Sequence, residues 1–290
     1  MKEPFELEWL GGVAAKYFRR IRPGVDDFPW GTLPVGEYPP LLVERARLSW
    51  TEAAFNEYTT AYAFGELLLA LLEAKAPVDL IGMAGDFVAD EMLHVELTSR
   101  LAMELGGGAP HPVDFSGLSQ RAAPGPALAR AAELSVRICC VAEAFSLPML
   151  AGCLKSAAHP LTRAVLERIV QDEAPHGRLG WLFLDWAAER LDDSERARLA
   201  AIALDMLRVL SPLWTRLTSR VSDGVTSEGF LVRHVNELGW MEASAYGARA
   251  RASVQDDVVA PLARHGITLD ERALSELLDP ASRAPASNAQ

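Results

Sequence analysis

The chain has 290 residues, a formal net charge of −11 and a hydrophobic share of 50%, which is long enough to bury a sizeable core. That charge argues against nucleic acid as the main partner, because phosphate binding needs a basic face. Mean hydropathy is only +0.08, and no stretch approaches about 18 uncharged apolar residues, so neither a transmembrane helix nor a membrane partner is expected.

In chain order, the opening "MKEPFELEWLGG" carries acids where a secretory signal places basic residues, which predicts a cytoplasmic protein. Pro23, Pro29, Pro34, Pro39 and Pro40 predict an irregular extension over 1–42, with a short helix near 8–20. Long stretches of Ala, Leu, Glu and Arg with apolar spacings of three and four then predict an all-α chain. Its first two long helices span about 43–74 and 78–105, the second stopped by Gly106, Gly107 and Gly108. A Gly/Pro-rich connection covers 106–126. Two more helices follow over about 127–156 and 161–190, then one over 194–221 with an N-cap in "LDDSE". After the break "DGVTSEG", further helices are expected over 227–237, 241–264 and 270–278, and the tail 279–290 reads as disordered. The resulting organisation is an extension (1–42), a four-helix bundle (43–190), C-terminal helices packed on it (191–278) and the tail. Cys139, Cys140 and Cys153 all fall on one predicted helix, so reduced thiols are expected.

Two stretches repeat one frame. "VADEMLHVE" holds Asp90, Glu91 and His94, and "VQDEAPHGR" holds Asp172, Glu173 and His176. With 23 Glu and 6 His in the chain, chance supplies about half of one E-x-x-H match. Two matches, each led by Asp, are far less probable by accident. Residues three apart share a helix face, so each pair can grip one ion from its own helix. A pair of ions also needs carboxylates from the two remaining helices, at the same height. In an antiparallel hairpin, residues equally far from the turn lie side by side. The midpoint of Glu57 and Glu91 is residue 74, in the turn "EAKAP"; that of Glu143 and Glu173 is residue 158, in the turn "SAAHP". Glu66 is excluded, because nine residues place it about 13 Å along the helix from Glu57. Two short hairpins joined by a long crossover are what a ferritin-like bundle requires.

The order Glu57, Glu91-x-x-His94, Glu143, Glu173-x-x-His176 resembles the ligand set of ferritin-like di-iron carboxylate proteins over about residues 45–190. By that resemblance Glu57 and Glu143 are terminal or bridging ligands, Glu91 and Glu173 bridge two metals, and His94 and His176 cap one each. Oxygen and imidazole donors without thiolate suit two iron ions, with Mn or a mixed Mn/Fe pair as alternatives. Metal-bound histidines usually donate their other N–H to a carboxylate. Asp90 and Asp172 fit that role, through same-helix or cross-bundle pairing.

Three functions follow as expectations: a di-iron oxygenase or oxidase that uses O2 on a small organic molecule, a ferroxidase or iron-binding protein of ferritin type, and a non-catalytic helical protein with a structural metal site. The roughly 100 residues after the fourth helix favour the first, since they can roof a pocket. The hairpin spacings are similar to those of the p-aminobenzoate N-oxygenase family, but Ile169 stands where that family carries an extra His ligand. Thr98 stands where ribonucleotide reductase small subunits typically carry a radical tyrosine. Hydroxylation, N-oxidation, desaturation and oxidative cleavage all stay open. The resemblance further implies an electron donor such as a ferredoxin or a reductase. The assembly is expected to be a monomer or homodimer.

Overall fold

The computed structural model describes residues 2–119, 122–217 and 220–278, so the expected disorder of the tail lies outside the described residues. The protein is all-α, with a helical bundle at its centre. In chain order a two-residue strand β1 (Glu3–Pro4) precedes α1 (Gly12–Ile21), and two short 3₁₀ turns lead into α2 (Pro40–Glu73) and α3 (Val78–Glu104). Proline at the first position of α2 suits a helix start, where the missing N–H has no intrahelical partner. The α2–α3 turn is closed by Lys75 in the left-handed region (φ 53°), with Ala76 N–H bonded to the Leu71 carbonyl. At the far end of α3, Gly106 (φ 105°) and Gly107 (φ 109°) close the same motif, as the glycine run predicts.

The crossover contributes strand β2 (Pro112–Val113), which pairs antiparallel with β1. Next come α4 (Ala127–Ser135), a π-helical segment (Val136–Glu143) and α5 (Ala144–Ser156), a continuous helical stretch where the sequence predicts plain α-helix. By length and composition this stretch is apolar enough to cross a membrane, but 61% of its apolar window is buried inside the bundle. Its three cysteines are buried and unpaired with one another. α6 (Pro160–Ala187) returns along it. α2 packs along α3, α5 and the π segment along α6, and the hairpins meet through α2 with α4 and α3 with α6.

Beyond α6, α7 (Asp193–Leu210) stops well short of the predicted residue 221, and only the four-residue α8 (Pro212–Thr215) follows. Pro212 has no N–H for the Arg208 carbonyl, which accepts from the Ser211 hydroxyl at 2.9 Å instead. A hairpin of β3 (Val221–Ser222) and β4 (Val225–Thr226) then turns at Asp223 and Gly224, both with positive φ. The helix expected over 227–237 shortens to α9 (Val232–Glu237), preceded by Gly229 at φ 85°. Finally α10 (Ala243–Ser253), a second π segment (Val254–Val259), α11 (Ala260–Arg264) and α12 (Glu271–Leu278) complete the chain.

The buried apolar residues form two clusters. One holds Phe64, Leu67, Phe87, Phe145 and Phe183 with the C-terminal helices; the other holds Trp50, Leu97, Leu101, Leu161 and Ile169 with the N-terminal extension. On α2, α3 and α6 the boundary between them falls at Glu57, Glu91 and Glu173. The C-terminal segment is tied to the bundle where Trp50 Nε1 donates to the Leu238 carbonyl at 3.1 Å and its ring meets Trp240 at 4.5 Å.

Candidate metal centre

The polar layer between the two clusters brings the six sequence-selected residues together. Glu57, Glu91, His94 and Glu173 each offer one donor atom within 4.8 Å of the others, and so do Glu143, Glu173 and His176. Five of the six are buried, and Glu57 is partly exposed. Glu66 is elsewhere, accepting from the Ser119 hydroxyl at 2.6 Å. Of the remaining histidines, His159 accepts from Leu161 N–H at the start of α6, and His265 stacks on Trp181.

The two halves are arranged alike. Both imidazoles turn Nδ1 inward. His94 Nδ1 lies 3.2 Å from Glu173 Oε1 and 3.8 Å from Glu91 Oε2. His176 Nδ1 lies 2.9 Å from Glu173 Oε2 and 3.0 Å from Glu91 Oε1. Glu91 and Glu173 therefore each present one oxygen to each histidine. Both oxygens of Glu91, Oε2 of Glu173 and both Nδ1 atoms are buried without a hydrogen-bond partner. Buried polar atoms are almost always hydrogen-bonded, so five orphans facing one space call for a cation. Four carboxylates balance two divalent ions in charge, and the donor set suits a hard or borderline metal. The buried cluster can hold a metal ion.

The electrostatics show what the cluster does with protons instead. Desolvation, followed by the charge of Glu91, raises Glu57 well above its ordinary value. Desolvation, with Glu173 and Glu91 nearby, does the same to Glu143. Burial alone would lower both imidazoles, but the carboxylates around them outweigh it. Asp172, Glu173 and Glu91 raise His94 well above its ordinary value, and Asp90, Glu173 and Glu91 push His176 up to about 12. Glu173, flanked by both rings, is lowered despite burial. The raised values favour protons at the positions that cations would take.

The pairing of the leading aspartates is cross-bundle. Asp172 Oδ2 is hydrogen-bonded to His94 Nε2 at 3.4 Å, whereas Asp90 Oδ2 faces His176 Nε2 at 3.5 Å without a hydrogen bond. Each D-E-x-x-H motif therefore buttresses the histidine of the other. Despite burial, His94 and Arg168 hold Asp172 below its ordinary value.

The sequence gives no warning of the π segment that ends at Glu143. Such widened turns recur at functional sites, and each rotates the residues that follow relative to a plain helix. Across from it, Gly180 lets α6 approach closely: a Cβ there would come within 2.5 Å of Cys140 Sγ and 2.8 Å of Cys139 Cβ. Gly177 is also buried, yet a Cβ there meets nothing within 4 Å, leaving a small gap one turn beyond Glu173. The two glycines should respond oppositely to alanine. Gly180→Ala should cost about 1–3 kcal/mol by overpacking, whereas Gly177→Ala should gain up to about 1 kcal/mol from helix propensity. Thermal denaturation of the two variants checks this, and equal effects would contradict the packing described.

A cavity of about 480 Å³ is lined by Phe5, Leu7, Trp9, Ala54, Glu96 and Arg100 among others, and by none of the six clustered residues. On α3 Glu96, Ser99, Arg100 and Met103 of its lining lie about 140–240° round the helix from His94, and Ala102 about 80°. Apolar space there is not the space the cluster faces. The chain itself has no match among protein-family models, curated proteins or solved structures.

Proposed function

We propose that this chain is a non-haem di-iron oxygenase or oxidase that uses O2 to oxidise a small organic molecule. The observation that carries this reading is the way Glu91 and Glu173 divide their oxygens between His94 and His176, which suits two ions bridged by two carboxylates. Glu57 and Glu143 would complete one ion each, as in the ferritin-like di-iron proteins that the motif order resembles. Iron held there supplies redox chemistry toward O2, with electrons from an external donor such as a ferredoxin or a reductase. The protein's own part is to hold the ligands and exclude water. α10 packs on α5, with Arg249 Nε donating to the Pro148 carbonyl and Ser253 Oγ to the Phe145 carbonyl. These contacts lie close to Glu143 in sequence, and a shielded site would favour oxidation of a bound molecule over loss of oxidant to solvent.

Anaerobic Fe(II) reconstitution followed by O2 exposure tests the reading. Loading should stop at about two irons per chain, in a particle of monomer or dimer mass. A cage-sized assembly that continues to take up iron would establish the ferroxidase and storage reading instead. A chain that takes no iron would remove both.

A further inference from the structure

Each aspartate also meets an arginine, Asp90 through Oδ1, the oxygen away from His176, and Asp172 through Oδ2, the oxygen that also faces His94. Arg22, only 8% exposed, places Nε 2.6 Å from Asp90 Oδ1 and Nη2 2.8 Å from Asp86 Oδ1, and Nη2 also donates to the Asp86 carbonyl at 2.9 Å. Arg168 Nε donates to Asp172 Oδ2 at 2.7 Å, and its Nη1 donates to the Pro23 carbonyl at 2.9 Å. Two consecutive residues of the N-terminal extension, 22 and 23, thus engage both Arg–Asp–His chains. The segment is anchored on both sides: Arg19 pairs with the buried Glu96, Asp26 pairs with Arg19 and Arg100, and Val25 is fully buried.

We infer that residues 19–26 are a latch that orients both histidines of the metal centre while contributing no ligand. The physical reason is the placement of one proton. An aspartate held by arginine is fixed in rotation, which keeps a carboxylate oxygen facing the imidazole Nε2. That fixes the tautomer with Nδ1 free of hydrogen and aimed at the ion. Arg22 does this for His176 through Asp90. Arg168 does it for His94 through Asp172, with its own fork held by the Pro23 carbonyl. Arg22 and Arg168 are positioning residues, and the inference rests on the metal-centre reading above.

The test uses Mn(II) alone with the full chain. Equilibrium dialysis measures affinity, and anomalous scattering from Mn(II)-soaked crystals locates each ion. Arg22→Gln should weaken the ion at Glu143, Glu173 and His176 by about 10–100-fold, while the ion at Glu57, Glu91 and His94 stays near the wild-type affinity. Arg168→Gln should weaken the His94 ion, and Arg22→Lys should recover part of the loss by restoring the charge. Asp90→Asn, nearly isosteric, should reproduce the Arg22→Gln selectivity if that variant fails to fold. Undiminished binding of both ions in Arg22→Gln or Asp90→Asn would overturn the latch, and so would equal weakening at both positions. Wild-type protein that takes no Mn(II) would instead defeat the metal centre itself.

Discussion

Glu91→Ala should empty the whole centre, not half of it. Its two oxygens face different histidines, Oε2 toward His94 and Oε1 toward His176, so one truncation removes a donor from both positions. Glu173→Ala should behave alike, because its oxygens are divided in the same way. Glu57→Ala and Glu143→Ala, each at one end of the cluster, should instead lower loading toward one ion per chain. Metal analysis after iron reconstitution should therefore fall from about two per chain to near zero for the first pair and to an intermediate value for the second. If Glu91→Ala keeps its full complement, Glu91 bridges nothing and the roles assigned here are wrong. The same outcome for His176→Ala would point to a ligand outside the six.

Metal binding should also be steeply dependent on pH. Glu57, Glu143, His94 and His176 are all raised above their ordinary values, so an entering ion competes with protons at these groups. Each proton that an ion displaces should raise its affinity about tenfold per pH unit while that group remains protonated. Stability of the metal-free protein follows with the opposite sign. A group raised on folding contributes stability that is complete below its ordinary value and is lost as pH climbs through the folded one. The contribution of Glu57 and Glu143 therefore declines from pH 4.5 upward, and that of the histidines from pH 6.5 upward. The melting temperature gained on adding metal should accordingly be larger at pH 8 than at pH 5.5. A metal-induced gain that is flat across this range would mean the cluster binds no ion through these four groups.

The all-α architecture was legible from spacing and punctuation alone. Apolar residues at intervals of three and four specify helices, and the turn signals lie beside them in sequence, at "EAKAP", "SAAHP" and the glycine run after α3. The convergence of Glu57, Glu91, His94, Glu143, Glu173 and His176 was legible for the same reason. Each E-x-x-H pair is fixed by its own helix, and each hairpin has a midpoint that sets two carboxylates level.

Tertiary structure alone decided the contacts between segments with no sequence relation. Asp90 could have served either histidine, and only the packing of α3 against α6 gives it to His176, with Asp172 going to His94. Arg22 is 68 positions from Asp90, in a proline-rich stretch with no periodicity to place it. Arg168 differs: it sits four residues before Asp172, a helical spacing that marks a pair in advance. The end of α7 is written locally, since Pro212 cannot donate to the turn before it. The π segment ahead of Glu143 carries no such residue. It packs against α6, where Gly180 leaves room for Cys139 and Cys140. Local chemistry names the residues and the faces they occupy; long-range packing, through contacts that no spacing encodes, determines which of them meet.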